Sequence, residues 1–354
     1  MVTLVDSKTA AGGPKVVVVI PSWNGADGLR RCIDSVLAQS LQPHLIVVDN
    51  GSVDGSVELI ETYYPSVELI KHTTNKGYAG GVNPGYRRAM EMEADYTAPF
   101  NNDAVADPKW LEHLVRYMDA HPEAGIATCK VTSSDGSHLD STGDYYTSWG
   151  LPYPRGRGEP DTGQYDSQAE VFGASGAASL YRVSMLREIG LLDEDFFAYY
   201  EDVDISFRAQ LAGWRVTYVP DSVIYHELSV TGGRIKGFFA LQTVKNYPWL
   251  LVKNVPGRLL PHVLPRFLLA YVLFIGRAVL RGQGQYALQG LGKAVRLLPK
   301  KLRERRRIQR GRKVSPEYIW SIMTHDLPPN AANLRRLRAV WRRLSGNKTG
   351  KTQS

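Results

Sequence analysis

With 354 residues, 43 Lys and Arg, 35 Asp and Glu and ordinary apolar content, the chain has room for one large α/β domain of roughly 230 residues plus an appendage. Cys32 and Cys129 form no metal-ligand spacing and no nucleophilic Ser or Cys constellation appears; without a signal peptide they read as reduced thiols of a cytoplasmic protein. Charge divides unevenly: residues 231–354 carry 26 basic and 3 acidic side chains, residues 1–230 carry 17 and 32. An acidic part suited to metal and a basic part suited to a phosphate-rich surface follow from that division.

Residues 1–14 are polar and small and read as a flexible leader. Lys15 to Ile20 is a β-branched run stopped by Pro21, the signature of a strand buried on both faces. A helix over Asp27 to Gln39 follows Asn24-Gly25, then a strand over Leu45 to Val48 closed by Asp49-Asn50-Gly51-Ser52. Next come a helix near Val57 to Tyr64 and a strand over Val67 to Lys71. Pro84 predicts the first turn of a third helix with Asn83 as its N-cap. Tyr96 to Phe100 is a fourth strand, ending at Asn101-Asn102-Asp103. The β-α alternation implies an α/β fold with an open, mostly parallel sheet wrapped by helices. Ligands of such sheets gather beyond the carboxyl ends of the strands, where Asn24, Asp49 and Asp103 fall.

Glycine and proline crowd residues 143–163, which predicts a mobile loop over the cleft. Beyond Gly233, Phe267 to Ile275 is apolar but bounded by Arg266 and Arg277, short of the ~20 residues that span a bilayer. Arg296 to Lys313 holds ten basic residues against Glu304 alone. An apolar helix followed by a basic one reads as a peripheral membrane anchor.

Three clusters carry chemistry: Asn101-Asn102-Asp103, Glu201-Asp202-Val203-Asp204 and Tyr225-His226, each after an apolar or aromatic run. Asp103 is suited to hold a hard cation against a diphosphate, although the same residues also fit a plain turn. Crowded carboxylates after Phe196 to Tyr200 raise one another's pKa, and one of them could deprotonate a hydroxyl. A helix N-terminus enriched in acids explains them equally, with Asp204 and Arg208 an i,i+4 pair. We assign Asp204 to that structural role and Asp202 to the chemistry. His226 alone reads as a structural histidine and gains weight only as a second cation ligand. Asp49 suits the N3–H of a pyrimidine base or an ordinary turn, without choosing between thymine and uracil. Lys76-Gly77-Tyr78-Ala79-Gly80-Gly81 offers a flexible, positively charged loop for phosphate.

Together these segments resemble glycosyltransferase family 2, inverting enzymes of the GT-A fold, and especially its bacterial rhamnosyltransferase-like branch. The matching stretches are Val19 to Asn24, Val48 to Gly55, Asn75 to Asn83, Asn101-Asn102-Asp103, Gly176-Ala177, Phe196 to Asp204 and Gly213-Trp214 through Pro220 to His226. The resemblance covers roughly residues 15–232. It implies a GT-A domain over 15–232, a helical membrane-associating region over 233–313 and a basic tail over 314–354.

By the same resemblance Asp49 touches the base, Asn102 lies near the ribose, Asp103 and His226 bind Mg²⁺ or Mn²⁺, and Asp202 is the catalytic base. Pro21, Trp23, Asn24, Asn50, Lys76, Gly77, Gly80, Asn101, Gly176 and Glu201 complete the expected nucleotide-sugar site. The superfamily's Asp-x-Asp motif stands here as Asn101-Asn102-Asp103, with a single carboxylate.

The implied reaction is one inverting displacement from dTDP-rhamnose onto a lipid-linked or cell-envelope glycan. Donors left open are UDP-galactofuranose, UDP-GlcNAc or another UDP-hexose. The expected location is the inner face of the cell membrane, peripherally attached through residues 266–313, with an oligomer left open. Competing readings are a nucleotidyltransferase, a metal-dependent phosphohydrolase and a nucleic-acid-binding protein. The last is disfavoured because Leu297, Leu298, Leu302 and Ile308 interleave the basic run, so no nucleic acid partner is expected.

Overall fold

The computed structural model describes residues 13–227 and 235–326. Most of the expected leader, the 228–234 junction and the tail beyond 326 lie outside the described residues. Four strands and three helices alternate first: β1 (Val16–Ser22), α1 (Ala26–Leu37), β2 (His44–Asp49), α2 (Ser56–Tyr63), β3 (Glu68–Lys71), α3 (Gly77–Glu91) and β4 (Tyr96–Pro99). β1 is buried at every position, because its alternate side chains feed two cores. Val16, Val18 and Ile20 pack with Leu29, Cys32 and Ile33 of α1, whereas Val17 and Val19 pack with Ala79, Val82 and Tyr86 of α3.

The chain continues through β5 (Ala104–Ala106), α4 (Trp110–Ala120), β6 (Ala124–Ser133), β7 (Leu139–Ser141), β8 (Asp144–Tyr146) and β9 (Pro152–Pro154). Then follow β10 (Ala169–Glu170), β11 (Leu180–Arg182), α5 (Val183–Ile189), α6 (Glu201–Leu211) and β12 (Arg215–His226). The central sheet runs β10-β12-β6-β11-β4-β1-β2-β3, with β5 and β7 paired to β12 and β6. β3, β2, β1 and β4 are parallel, as are β6 and β12. β11 lies antiparallel between β4 and β6.

Two local expectations need correction. α3 starts at Gly77 and carries Pro84 inside it, so Asn83 is no N-cap. Its buried amide donates to the Leu192 carbonyl at 2.9 Å and to Glu194 Oε1 at 2.8 Å. Proline has no N–H for the carbonyl four residues back. Here the Gly80 carbonyl is met by His72 Nε2 at 3.3 Å instead. The glycines of this segment serve close packing, not loop flexibility: a Cβ on Gly85 would lie 2.4 Å from Val19 Cγ1. The stretch 143–163 is not a loose loop either, since β8 and β9 form an antiparallel hairpin. Tyr146 is fully buried and stacks on Phe172 with ring centroids 5.1 Å apart.

The C-terminal part is α7 (Phe238–Asn254), α8 (Leu260–Leu280), α9 (Gly284–Arg310) and α10 (Pro316–Ile322). The apolar run read from Phe267 to Ile275 is the middle of the 21-residue α8, because the helix continues through Arg266 and Arg277. By length and composition alone, Gly257–Leu280 is apolar enough to cross a membrane, an 18-residue window within it reaching a mean hydropathy of 1.8. The expectation that it falls short is therefore corrected. α7 and α9 are joined to the sheet layer by a shared core: Phe196, Val203 and Phe207 pack with Val244, Trp249 and Leu250.

A buried ionic knot reinforces that junction. Lys253 Nζ reaches Asp193 Oδ2 at 2.5 Å and Asp204 Oδ1 at 2.9 Å. Lys301 Nζ lies 2.6 Å from both Asp193 Oδ2 and Asp195 Oδ2. Arg208 Nε pairs with Asp204 Oδ2 at 2.9 Å, as the i,i+4 reading expects. Burial opposes the Asp204 charge, but Lys253 and Arg208 outweigh it and hold the carboxyl below its ordinary range. Removing one member leaves uncompensated buried charge. Lys253→Met is expected to lower unfolding free energy by about 3–5 kcal/mol, measured by denaturant titration.

Candidate active site

The parallel strands deliver their polar ends to one edge. Ser22 and Asp49 are in register at the ends of β1 and β2, which brings Pro21 to Asn24 beside Asp49 and Asn50. Asn24 adopts φ 50° and its Oδ1 accepts the Val53 N–H at 2.9 Å. Asp49 Oδ2 accepts the N–H groups of Gly51 and Ser52 at 3.1 and 3.2 Å. Its Oδ1 is buried and has no partner. A buried acceptor left unpaired costs about 1–3 kcal/mol, so this oxygen is built to receive a donor.

Asn50 is held between the β2 loop and α3. Its Oδ1 accepts the Lys76 N–H at 2.9 Å and its Nδ2 donates to the Gly77 carbonyl at 2.8 Å, tying the β2 loop to α3. Lys76 stays exposed, with no ion pair among the described residues. Gly77 sits at φ +73°, and a Cβ there would lie 2.2 Å from the Phe197 carbonyl oxygen. A Cβ on Gly80 would lie 2.5 Å from Lys76 Cβ. Asn102 Nδ2 donates to Ser22 Oγ at 3.2 Å. Trp23 flanks this edge half-buried.

Asp103 and His226, distant in sequence, meet. Pairing of β5 with β12 sets Ala104 opposite His226. His226 Nε2 lies 3.1 Å from Asp103 Oδ1 and its Nδ1 lies 3.0 Å from Asp140 Oδ2. Asn101 Nδ2 is 3.2 Å from the same Nε2. Burial would lower the His226 pKa, but hydrogen bonds to Asp103 and Asp140 raise it to about 9. Arg157 pairs with Asp140 at 3.0 Å. Asp140 and Arg157 escaped the sequence reading, since nothing local marks a residue on β7 as the support of a histidine on β12. A recess of about 260 Å³ beside Asp103 is lined by Gly28, Arg31, Tyr225 and Glu227.

Asp202 is linked to that pair through one short segment. Its Oδ2 accepts the Gly176 N–H at 3.0 Å and its Oδ1 accepts the Val203 N–H at 2.8 Å. Ala177 in turn accepts the Asn101 N–H at 2.9 Å. A Cβ on Gly176 would stand 3.0 Å from Asp202 Oδ2, so glycine permits the approach. The Tyr78 hydroxyl donates to the Gly176 carbonyl. Burial raises the Asp202 pKa, with the Val203 and Gly176 N–H groups pulling the other way. Glu201 is 5% exposed with Oε2 unpartnered. Burial, then the Asp202 charge, pushes Glu201 up to about 8. Two backbone N–H groups favour the Asp202 anion, so Asp202 ionises before its neighbour.

Ahead of α6 the backbone is strained. Phe197, Tyr199 and Tyr200 have φ of 64°, 69° and 73°, each costing on the order of 1–3 kcal/mol for a non-glycine residue. Asn246 of α7 holds this turn: its Nδ2 donates to the carbonyls of Phe196, Ala198 and Tyr199 at 3.1, 3.0 and 2.8 Å. Lys245 Nζ adds the Asp195 and Phe196 carbonyls at 2.9 and 3.1 Å. The sequence reading missed both, because α7 carries other polar residues, among them a second Lys-Asn pair at Lys253-Asn254, and nothing local singles out Lys245 and Asn246. Asp193, Asp195 and Glu304 also converge, but Lys253, Lys300 and Lys301 occupy that cluster.

A raised carboxyl pKa means that the folded state binds the proton more tightly than the unfolded chain. Between pH 4.5 and about 8 the Glu201 contribution therefore makes stability fall as pH rises, by at most about 1.4 kcal/mol per unit. In Glu201→Gln this part of the decline is expected to vanish from pH-dependent thermal melts.

Residues 17–190 match the sequence family described as Glycosyl transferase family 2. The N-acetylglucosaminyl-diphospho-decaprenol L-rhamnosyltransferase of Mycobacterium tuberculosis is 29% identical over 243 residues, covering 61% of this chain and 77% of the relative. The structure of GalNAc-T7 with UDP, GalNAc and Mn2+ superposes with a TM-score of 0.54 at 16% identity, over 68% of this chain and 48% of that one. The mannosyltransferase PcManGT from Pyrobaculum calidifontis, in complex with GDP-Man and Mn2+, gives 0.50 at 16% identity over 85% and 86%. At such identities the structural likeness speaks for the fold, a GT-A sheet flanked by helices, and the family match speaks for the chemistry. The chain is a family 2 glycosyltransferase.

Proposed function

We propose that this enzyme moves rhamnose, with inversion, from dTDP-rhamnose to a lipid-linked or cell-envelope glycan at the inner face of the membrane. The observation that carries the reading is that half-buried Asp202 and Asn101, the neighbour of the Asp103–His226 pair, are both tied to the Gly176-Ala177 segment. The rhamnosyl donor is supported by the mycobacterial relative, whose name specifies a rhamnosyl transfer onto a lipid diphosphate. Asp49 Oδ1, buried and unpaired, suits the N3–H of thymine or uracil, so UDP-galactofuranose, UDP-GlcNAc and other UDP-hexoses stand as the alternative donors.

A divalent cation fits the donor set. Adjacent ligands about 2.1 Å from an octahedral ion lie about 3.0 Å apart, and Asp103 Oδ1 and His226 Nε2 are 3.1 Å apart. Asp140 on the far nitrogen fixes the imidazole, the usual second support of a metal-binding histidine. Held there, Mg²⁺ or Mn²⁺ would neutralise the nucleoside diphosphate as it leaves. Asp202 takes the proton of the acceptor hydroxyl, and that oxygen attacks the anomeric carbon from the face opposite the leaving group. Configuration inverts because there is one displacement. Glu201, still protonated at neutral pH, leaves the negative charge on Asp202. The turn at 197–200, clasped by Asn246, sets the direction of that carboxylate. Most of the rate gain comes from alignment and charge neutralisation.

Membrane attachment is supported by the outer surfaces of α8 and α9. Leu268, Leu269 and Val272 are exposed by 49%, 49% and 63%, next to a strongly basic α9. A nucleic-acid partner accounts for the charge but not for these apolar side chains.

A donor panel read by nucleoside diphosphate release, with and without lipid-linked acceptor, tests the reading; dTDP-rhamnose is expected to be the preferred donor. Asp202→Asn is expected to abolish transfer, at least ~1000-fold, while donor affinity changes little. Transfer near the parent rate in that variant would overturn the assignment of the base. Leu268→Glu/Val272→Glu is expected to lose retention on anionic vesicles in a flotation assay without loss of transfer to a soluble acceptor.

A further inference from the structure

We propose that the recess between the C-terminal half of α9, the turn at 257–259 and α10 is a binding site for a clustered phosphate group, a phosphomonoester or a diphosphate. It encloses about 790 Å³ and is lined by Arg258, Arg305, Arg306, Arg310 and Arg312, with Glu317 the one carboxylate on its wall. Arg258, Arg306, Arg310 and Arg312 make no ion pair among the described residues. Arg306 and Arg310 stand four residues apart on one helical face, where like charges repel.

Arg305 is fixed differently. Its Nη1 donates to the Val252 and Val255 carbonyls, both at 2.7 Å, which ties the floor of the recess to the end of α7. Burial, and after it the Arg312 charge, lowers its pKa. Glu317 is the one acid set against these five arginines, and residues 327–354 contain seven basic and no acidic side chains. That excess of positive charge favours an anionic ligand.

Phosphate is the chemistry that fits. Planar guanidinium groups present paired N–H donors that match phosphate oxygens, and several of them together favour a group bearing more than one charge. No aromatic side chain lines the recess, so a nucleic acid would find no surface for base stacking. The surroundings name two sources of the same group. Arg258 lies about two to three helical turns before the exposed Leu264 and Leu268 of α8, and Arg306 follows the exposed Leu302 of α9 by one turn. Lipid phosphates would meet the recess there; a free diphosphate from solution would bind by the same groups. This inference does not depend on the donor or on the transfer reaction.

The test is calorimetric titration of the full chain with inorganic pyrophosphate, in EDTA so that no cation at Asp103 and His226 recruits it. One saturable site is expected. Arg306→Gln/Arg310→Gln should weaken it by about tenfold for each guanidinium removed. Arg303→Gln/Arg307→Gln removes the same charge from the same helix outside the recess, and should change affinity less than about twofold. Equal losses in the two double variants, or no saturable binding, would overturn the site in favour of diffuse surface charge. Vesicles of phosphatidic acid and of phosphatidylglycerol at matched charge then identify the source. A preference for phosphatidic acid that only the recess variant loses means a lipid headgroup. Vesicle binding unchanged in that variant, with pyrophosphate binding lost, means a soluble phosphate.

Discussion

The grip of α7 on the turn before α6 is the constraint on which the candidate site rests. Three residues there hold left-handed backbone that side chains resist, and the compensation comes from 50 residues further along the chain. One amide, Asn246, and one ammonium, Lys245, gather the carbonyls that this contorted backbone turns inward. The ionic knot below them, with Lys253 and Lys301 facing Asp193, Asp195 and Asp204, keeps α7 and α9 from sliding. Strain at the turn and burial at the knot thus form one unit, and Asp202 inherits its direction from it.

Much of the sheet was legible because its signals are local. The β-branched run of β1, the spacing of Leu29, Cys32, Ile33 and Val36 on α1, and the polar residues closing β2 and β4 each state their element within a dozen residues. Asp103 and His226 were also readable, since each follows a strand pointing to the same edge. What failed was decided across the fold. Pro84 looked like a helix start because the side chain that takes up the orphaned Gly80 carbonyl, His72, sits before the helix. The 143–163 segment looked loose because its glycines and prolines hide a hairpin whose tyrosine fills a core built by Phe172 and Phe207. Asp140, Lys245 and Asn246 had no pattern to betray them; their partners are far away in the chain.

Two electrostatic regimes share the molecule. In the candidate site, burial raises the pKa of both Glu201 and Asp202, while backbone N–H groups pull Asp202 the other way, so two adjacent carboxylates meet different environments. On α9 the regime is the reverse. Arginines crowd one another on the surface with Glu317 the one acid among them, and the exposed apolar side chains beside them favour a setting less polar than water. The asymmetry of charge along the sequence is the linear trace of these two environments.

Asn246 also changes what counts as a module. The family match ends at residue 190, and a cut drawn by composition near 232 would seem to separate an enzyme from an anchor. Such a cut would leave the turn at 197–200 without its clasp and Asp193 and Asp204 without Lys253. Chimeras that exchange C-terminal helices between related transferases must therefore carry α7 with the sheet, and natural recombination at that joint would face the same restriction.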